Sequence, residues 1–104
     1  MQYQKKDINE IIKDAFELEH QGQFKSAIEL LYQGLNIEVD NVEILSQIAD
    51  LYRKLKNYDI ANEYALKALR QNKIADFATD VLFKIYVETN NLQEELIMII
   101  TIKI

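Results

Sequence analysis

Residues of similar kind recur in this chain at a spacing of 34 positions. Phe24 and Tyr58 are separated by one such interval. A fixed period of this length is typical of repeat architectures, in which each copy buries its apolar face against the next. The spacing continues from Tyr52 to Tyr86, so we expect a third, incomplete copy that begins near Asp76. The other matched pairs are Ala15 and Ala49, Leu18 and Tyr52, Ala27 and Ala61, Glu29 and Glu63, and Leu35 and Leu69.

Each copy contains segments in which apolar residues return every three or four positions. This period is that of a helix with one buried stripe. The composition agrees, because 2 glycines and no proline leave few residues for the tight turns of an all-β fold. Asp7 and Asp40, each followed three residues later by Glu, are expected to cap the first and third helices. We therefore predict an all-α fold of antiparallel helix-turn-helix units, with helices at about 8–21, 24–36, 41–55, 58–71, 76–89 and 92–103.

The second copy carries small and large residues in a pattern that resembles the tetratricopeptide repeat, at Leu45, Ile48, Ala49, Tyr52, Ala61, Ala65 and Ala68. The resemblance implies a short right-handed superhelix, with the first helix of each pair on the concave side. The third copy departs from the pattern, because Phe83 and Glu95 stand at its two small positions. The implied units are a single domain over 1–104, with repeats at about 8–41 and 42–75 and a degenerate, truncated repeat at 76–104.

The residue types that most metal and nucleophilic chemistry needs are absent or scarce. The chain has no Cys and a single His, His20, so thiolate and His-rich metal sites are excluded. Carboxylate pairs such as Glu94 and Glu95 are interpreted as solvated helix surface rather than as a general acid and base. With 2 glycines, no glycine-rich phosphate loop is expected. We therefore expect no catalysis, no metal and no cofactor.

Charge and hydropathy argue against two further classes of partner. The 12 Lys and Arg residues against 17 Asp and Glu residues give a net charge of −5, which disfavours nucleic-acid binding. The longest apolar run, residues 96–100, is far shorter than the roughly 20 residues that a membrane-spanning helix needs. No signal peptide is recognised at the N-terminus. We expect a cytoplasmic protein.

Proteins that resemble this family usually hold a peptide or a helix of a partner on the concave side, which predicts a non-catalytic interaction module or scaffold. The groove positions combine apolar and charged side chains, and this mixture suits an amphipathic, partly acidic peptide. Phe16 and Phe77 have core packing as their alternative role. A clamp for a terminal carboxylate is not expected, because apolar residues occupy most of the matching positions. The predicted groove contacts are Asn9, Ile12, Phe16, Asp50, Arg53, Phe77 and Lys84.

The C-terminal residues 92–104 are unusually apolar for the end of a repeat array. Several Ile and Leu side chains exposed together would form an apolar patch, which we expect another protein surface to bury. We expect that a second copy of the chain supplies it, or the next repeat if the chain is part of a longer protein. Two alternatives to the peptide-binding module stay open: a purely structural self-association unit, and the recruitment segment of a larger enzyme. The predicted centre of the homodimer contact is Leu96, Ile97, Ile99 and Ile100.

Overall fold

The computed structural model describes residues 7–91 together with residues 97, 100 and 101. Helix is the regular secondary structure of these residues, and none of them lies in a strand. Each helix end within residues 7–91 lies within one residue of the end that the apolar period predicts. The predicted sixth helix falls mostly outside the described residues. The helices are α1 (Ile8–His20), α2 (Phe24–Ile37), α3 (Val42–Lys54), α4 (Tyr58–Gln71) and α5 (Asp76–Glu88).

The period of the sequence is also the period of the backbone. The helices α1, α3 and α5, which we call the first helices, begin one period apart, and each contains 13 residues. The second helices, α2 and α4, also begin one period apart, and each contains 14 residues. Connections of three or four residues join them. The repeat inferred from side-chain types is therefore built into the helix boundaries.

Every first helix ends in a left-handed turn at the same position of its copy. Gly22, Lys56 and Asn90 have φ angles of +77°, +64° and +59°. The next residue in each case donates its backbone N–H to a carbonyl five positions back, as in the bond from Gln23 to Leu18 at 2.9 Å. The equivalent bonds of Asn57 and Asn91 are also 2.9 Å long. This is the Schellman motif, which satisfies the last carbonyls of a helix and turns the chain toward the second helix.

The N-terminus of α3 corrects one predicted cap. The Oδ1 atom of Asn41 accepts a hydrogen bond from the backbone N–H of Ile44 at 2.9 Å, so Asn41 and not Asp40 is the N-cap. Both residue types cap well, and the choice depends on where the helical backbone begins. Asp7 occupies the N-cap position of α1 as predicted, but its side chain makes no capping hydrogen bond there.

Two apolar clusters form the core. The first joins α1 and α2 to one side of α3, and the second joins the other side of α3 to α4 and α5. Adjacent helices pack closely, because Ala15, Ala27, Ala49 and Ala61 are all completely buried, as their small size predicts. Gly34 extends this contact, since a Cβ atom there would lie 2.7 Å from the Cδ1 atom of Ile44.

Three tyrosines link the two clusters. The hydroxyls of Tyr32 and Tyr52 are 2.8 Å apart, and Tyr64 donates to the Tyr32 hydroxyl at 3.4 Å. The rings of Tyr52 and Tyr64 stack with their centroids 6.2 Å apart. Burial and the two hydroxyl neighbours raise the pKa of Tyr32. These contacts join α2, α3 and α4 at their shared boundary.

Candidate functional site

An open depression of about 720 Å³ runs along α1 and is bounded by the first turn of α3. Successive turns of α1 supply most of the lining, because residues three and four positions apart share one face of a helix. This α1 depression brings together Asn9, Ile12 and Phe16 from the predicted groove. The full lining is Asn9, Ile12, Lys13, Phe16, Glu17, His20, Gln21 and Glu43.

The apolar part of the α1 depression consists of Ile12 and Phe16. Ile12 is 7% exposed and belongs to the first core cluster, so only the edge of its side chain faces the depression. Phe16 is 37% exposed and lies outside both clusters. An aromatic ring that the core does not use is the kind of anchor that protein interfaces bury.

The rim of the α1 depression is charged. Lys13, Glu17 and Glu43 have no ion-pair partner among the described residues. The Nδ1–H group of His20 donates to the backbone carbonyl of Phe16 at 3.1 Å, which leaves Nε2 for another partner. No group of three potential metal ligands lies close together in the described part of the chain. Lys13 and Glu17 were not among the predicted contacts, although Lys13 lies three positions before Phe16 and Glu17 lies four positions after Lys13, which are spacings of one helix face.

A network of ion pairs connects the last turns of the three first helices. Lys54 on α3 pairs with Glu19 on α1 and lies 3.6 Å from Asp50. Arg53 on α3 bonds Asp50 at 2.8 Å and reaches across to Glu88 on α5 at 2.7 Å. Burial by itself lowers the pKa of Arg53, but the hydrogen bond and charge of Asp50 and the charge of Glu88 outweigh that effect and raise it. We call these five residues the ion-pair network.

The two ion pairs between first helices in this network involve equivalent positions, but the acidic and basic residues are exchanged. Glu19 and Arg53 stand at equivalent positions of successive copies, and so do Lys54 and Glu88. The first pair therefore joins an acid in copy one to a base in copy two, and the second joins a base in copy two to an acid in copy three. Because opposite charges meet at both contacts, the ion pairs favour the observed register between neighbouring first helices.

Aromatic residues follow the same repeat. The Lys54 ammonium lies 6.0 Å from the centre of the Phe24 ring, and the equivalent Tyr58 donates its hydroxyl to Glu88 at 3.2 Å. These groups surround a shallow depression of about 540 Å³ that Lys56 also lines. The basic cluster of residues 53–56 is thus largely occupied by contacts within the chain.

Four predicted groove residues lie away from the α1 depression. Asp50 is 8% exposed and, with Arg53, belongs to the ion-pair network. Phe77 is half-buried against the second core cluster. Lys84 is exposed and pairs with Asp80 on the same helix at 3.1 Å. The predicted groove therefore divides into an open part on α1 and a part on α3 and α5 whose charges are paired.

The predicted homodimer contact is only partly described. Leu96 and Ile99 lie outside the described residues. Ile97 and Ile100 are helical and are 66% and 57% exposed. Thr101 donates its hydroxyl to the carbonyl of Ile97 at 2.8 Å, as one helical turn allows. The two isoleucines thus present apolar surface to solvent.

The third copy exposes apolar side chains on α5 as well. Phe83 is 45% exposed, whereas its equivalent Ala49 is completely buried. Val87, one turn further along, is 54% exposed. Where the third copy departs from the repeat pattern, it therefore exposes apolar side chains.

Within residues 7–91, 97, 100 and 101, no helix combines the length and the apolar character that crossing a bilayer requires. Comparison with models of known families, with curated proteins and with solved structures found no match for this chain.

Proposed function

We propose that this chain is a tetratricopeptide-like repeat array that acts as a non-catalytic protein-interaction module of the cytoplasm. The helix bounds and the left-handed turns, both of which recur once in every period, support the array. In a right-handed superhelix of such units the first helices line the concave side. A peptide or helix of a partner protein would lie along that side, without metal, cofactor or nucleic acid.

The observation that carries this proposal is the exposed ring of Phe16 in the α1 depression. Aromatic side chains in well-packed pockets supply much of the free energy of binding at protein interfaces. Asn9 and His20 flank the ring with groups that can donate or accept hydrogen bonds to a peptide backbone. The same surface would serve a recruitment segment of a larger enzyme equally well.

Replacing Phe16 by Ala should remove partner binding while the fold survives. Loss of an anchor of this kind costs about 2 kcal/mol of binding free energy, roughly a thirtyfold loss of affinity. Affinity capture from cells of the source organism, followed by quantitative mass spectrometry, measures the loss. Leu55→Ala is the matched control, because Leu55 is also 37% exposed but lies outside the α1 depression. Capture of the same proteins by Phe16→Ala and by the parent chain would contradict the proposal.

Homodimerisation is the second candidate function, and the exposed apolar side chains of the third copy favour it. Burial of one Ile side chain contributes about 1.5–3 kcal/mol, so an apolar surface made of Phe83, Val87, Ile97 and Ile100 would favour burial by a second copy. A second copy that packs on this surface would cover it. The proposed contact extends to Leu96 and Ile99.

Sedimentation equilibrium at micromolar concentration tests the homodimer. We expect twice the monomer mass for the parent chain, and monomer mass for a variant with Ile97→Asn and Ile100→Asn. Val39→Asn and Ile74→Asn form the control variant, because these two side chains are also exposed but lie in the connections before α3 and α5. A parent chain that stays monomeric and soluble would contradict self-association through this surface.

A further inference from the structure

We propose that the partner segment bound in the α1 depression is basic as well as amphipathic. In this proposal an apolar side chain packs against Phe16, and Lys or Arg side chains pair with Glu17 and Glu43. The inference rests on the proposed function and specifies the chemistry of its partner. It differs from the expectation of a partly acidic peptide, which came from counting Arg53 and Lys84 as free anchors.

Apart from Lys13, the Lys and Arg residues of the first helices are paired within the chain. Arg53 bonds both Asp50 and Glu88, and its side chain is 12% exposed. Lys54 pairs with Glu19 and lies near Asp50. An acidic partner would have to displace these carboxylates and would leave them unpaired in a partly buried place, at a cost that offsets the new contact.

The charges left open lie around the α1 depression. Glu17 stands beside Phe16 on α1, and Glu43 lies in the first turn of α3. Lys13 is the one Lys or Arg residue in the lining, so its formal charges comprise two carboxylates and one ammonium. Carboxylates from two different helices around one exposed ring favour a ligand that has an apolar centre and positively charged flanks.

The dimensions and the overall charge agree with such a ligand. The lining extends from Asn9 to Gln21, which corresponds to about 18 Å of helix, or room for three turns of a bound helix. The net charge of −5 attracts a basic segment from a distance. A helix of that length presents apolar residues at i, i+3 and i+4 together with flanking Lys or Arg on one side.

Two synthetic peptides test the proposal with the full chain. Both are 16-residue amphipathic helices with the same Leu and Phe face, and they differ only in carrying four Lys or four Glu residues beside that face. Fluorescence anisotropy at low salt should show the Lys peptide binding at least tenfold more tightly than the Glu peptide. Phe16→Ala should weaken both peptides.

Two double variants separate the effect of the charges around the depression from the effect of the net charge on peptide binding. Glu17→Gln with Glu43→Gln should reduce the preference for the Lys peptide about five- to tenfold, as expected for two rim pairs. Asp59→Asn with Glu63→Gln removes the same number of charges from exposed positions on α4 and should leave the preference nearly unchanged.

The outcomes distinguish this proposal from the proposed function. If the Glu peptide binds as tightly, or if both double variants change the preference equally, the basic partner is wrong while a Phe16-dependent loss still supports the groove. If Phe16→Ala affects neither peptide, or if neither peptide binds, both proposals are overturned.

Discussion

A single backbone angle marks the end of each first helix. Gly22 adopts a positive φ without steric penalty, because it has no Cβ atom. Asn90 tolerates this region better than most residues. Lys56 has neither advantage, and a left-handed conformation costs an ordinary L-residue about 1–2 kcal/mol. The Schellman hydrogen bond from the N–H of Asn57 to the carbonyl of Tyr52 spans Lys56 and stabilises this conformation.

Lys56→Gly should therefore raise the free energy of unfolding by up to about 1 kcal/mol, and Gly22→Ala should lower it by about 1 kcal/mol. The loss at Gly22 comes from backbone strain alone, since an added Cβ atom would meet nothing within 4 Å. Urea unfolding followed by circular dichroism measures both changes. Lys73→Gly is the control, because Lys73 is also an exposed connection residue but has no positive φ. Equal effects of Lys56→Gly and Lys73→Gly would contradict the strain at Lys56.

At the scale of the helix, the sequence predicted the bounds of each helix far better than the side-chain contacts between helices. The apolar period located the ends of α1 to α5 to within one residue because burial of a stripe decides where each helix must run. The cap of α3 was missed by one residue, since Asp40 and Asn41 are both good caps and lie side by side. Local chemistry alone does not choose between them.

The candidate site was predictable only in part. Phe16 was predicted from the resemblance to the repeat family and from its position off the apolar stripe of α1, and the structure places it in the α1 depression with Asn9 and Ile12. The pairing of Arg53 with Glu88 depends on two residues that are distant in sequence and lie on different helices. The opposite charges of Glu19 and Arg53 at equivalent positions were the sequence signal for this contact. That signal can be interpreted only when the sequence period is known to be a period of the backbone.

The pair between Glu19 and Lys54 should contribute more than an exposed pair on one helix. Glu19 is 10% exposed at its side chain, whereas Asp80 and Lys84 are 59% and 50% exposed at theirs. A double-mutant cycle with Glu19→Gln and Lys54→Met should give a coupling energy of about 1 kcal/mol. The control cycle with Asp80→Asn and Lys84→Met should give about 0.3 kcal/mol. Equal coupling energies in the two cycles would mean that the ion-pair network does not fasten α1 to α3.

At the scale of the whole molecule, one period organises both the fold and the surface. Ion pairs at equivalent positions join the first helices of successive copies, and their charges alternate so that copy two matches both of its neighbours. These ion pairs do not cover the α1 depression in the first copy or the exposed apolar side chains of the third copy. These two surfaces are where the proposed partner and the proposed second copy would bind.

The period of the sequence is also the period of the backbone. Carbon-13 secondary chemical shifts of the full chain in solution measure this directly, residue by residue. We expect helical shifts that begin again near residues 8, 42 and 76, and interruptions typical of positive φ at Gly22, Lys56 and Asn90. Helical shifts that continue without interruption through any of these three residues, or strand shifts within residues 7–91, would contradict a repeating backbone.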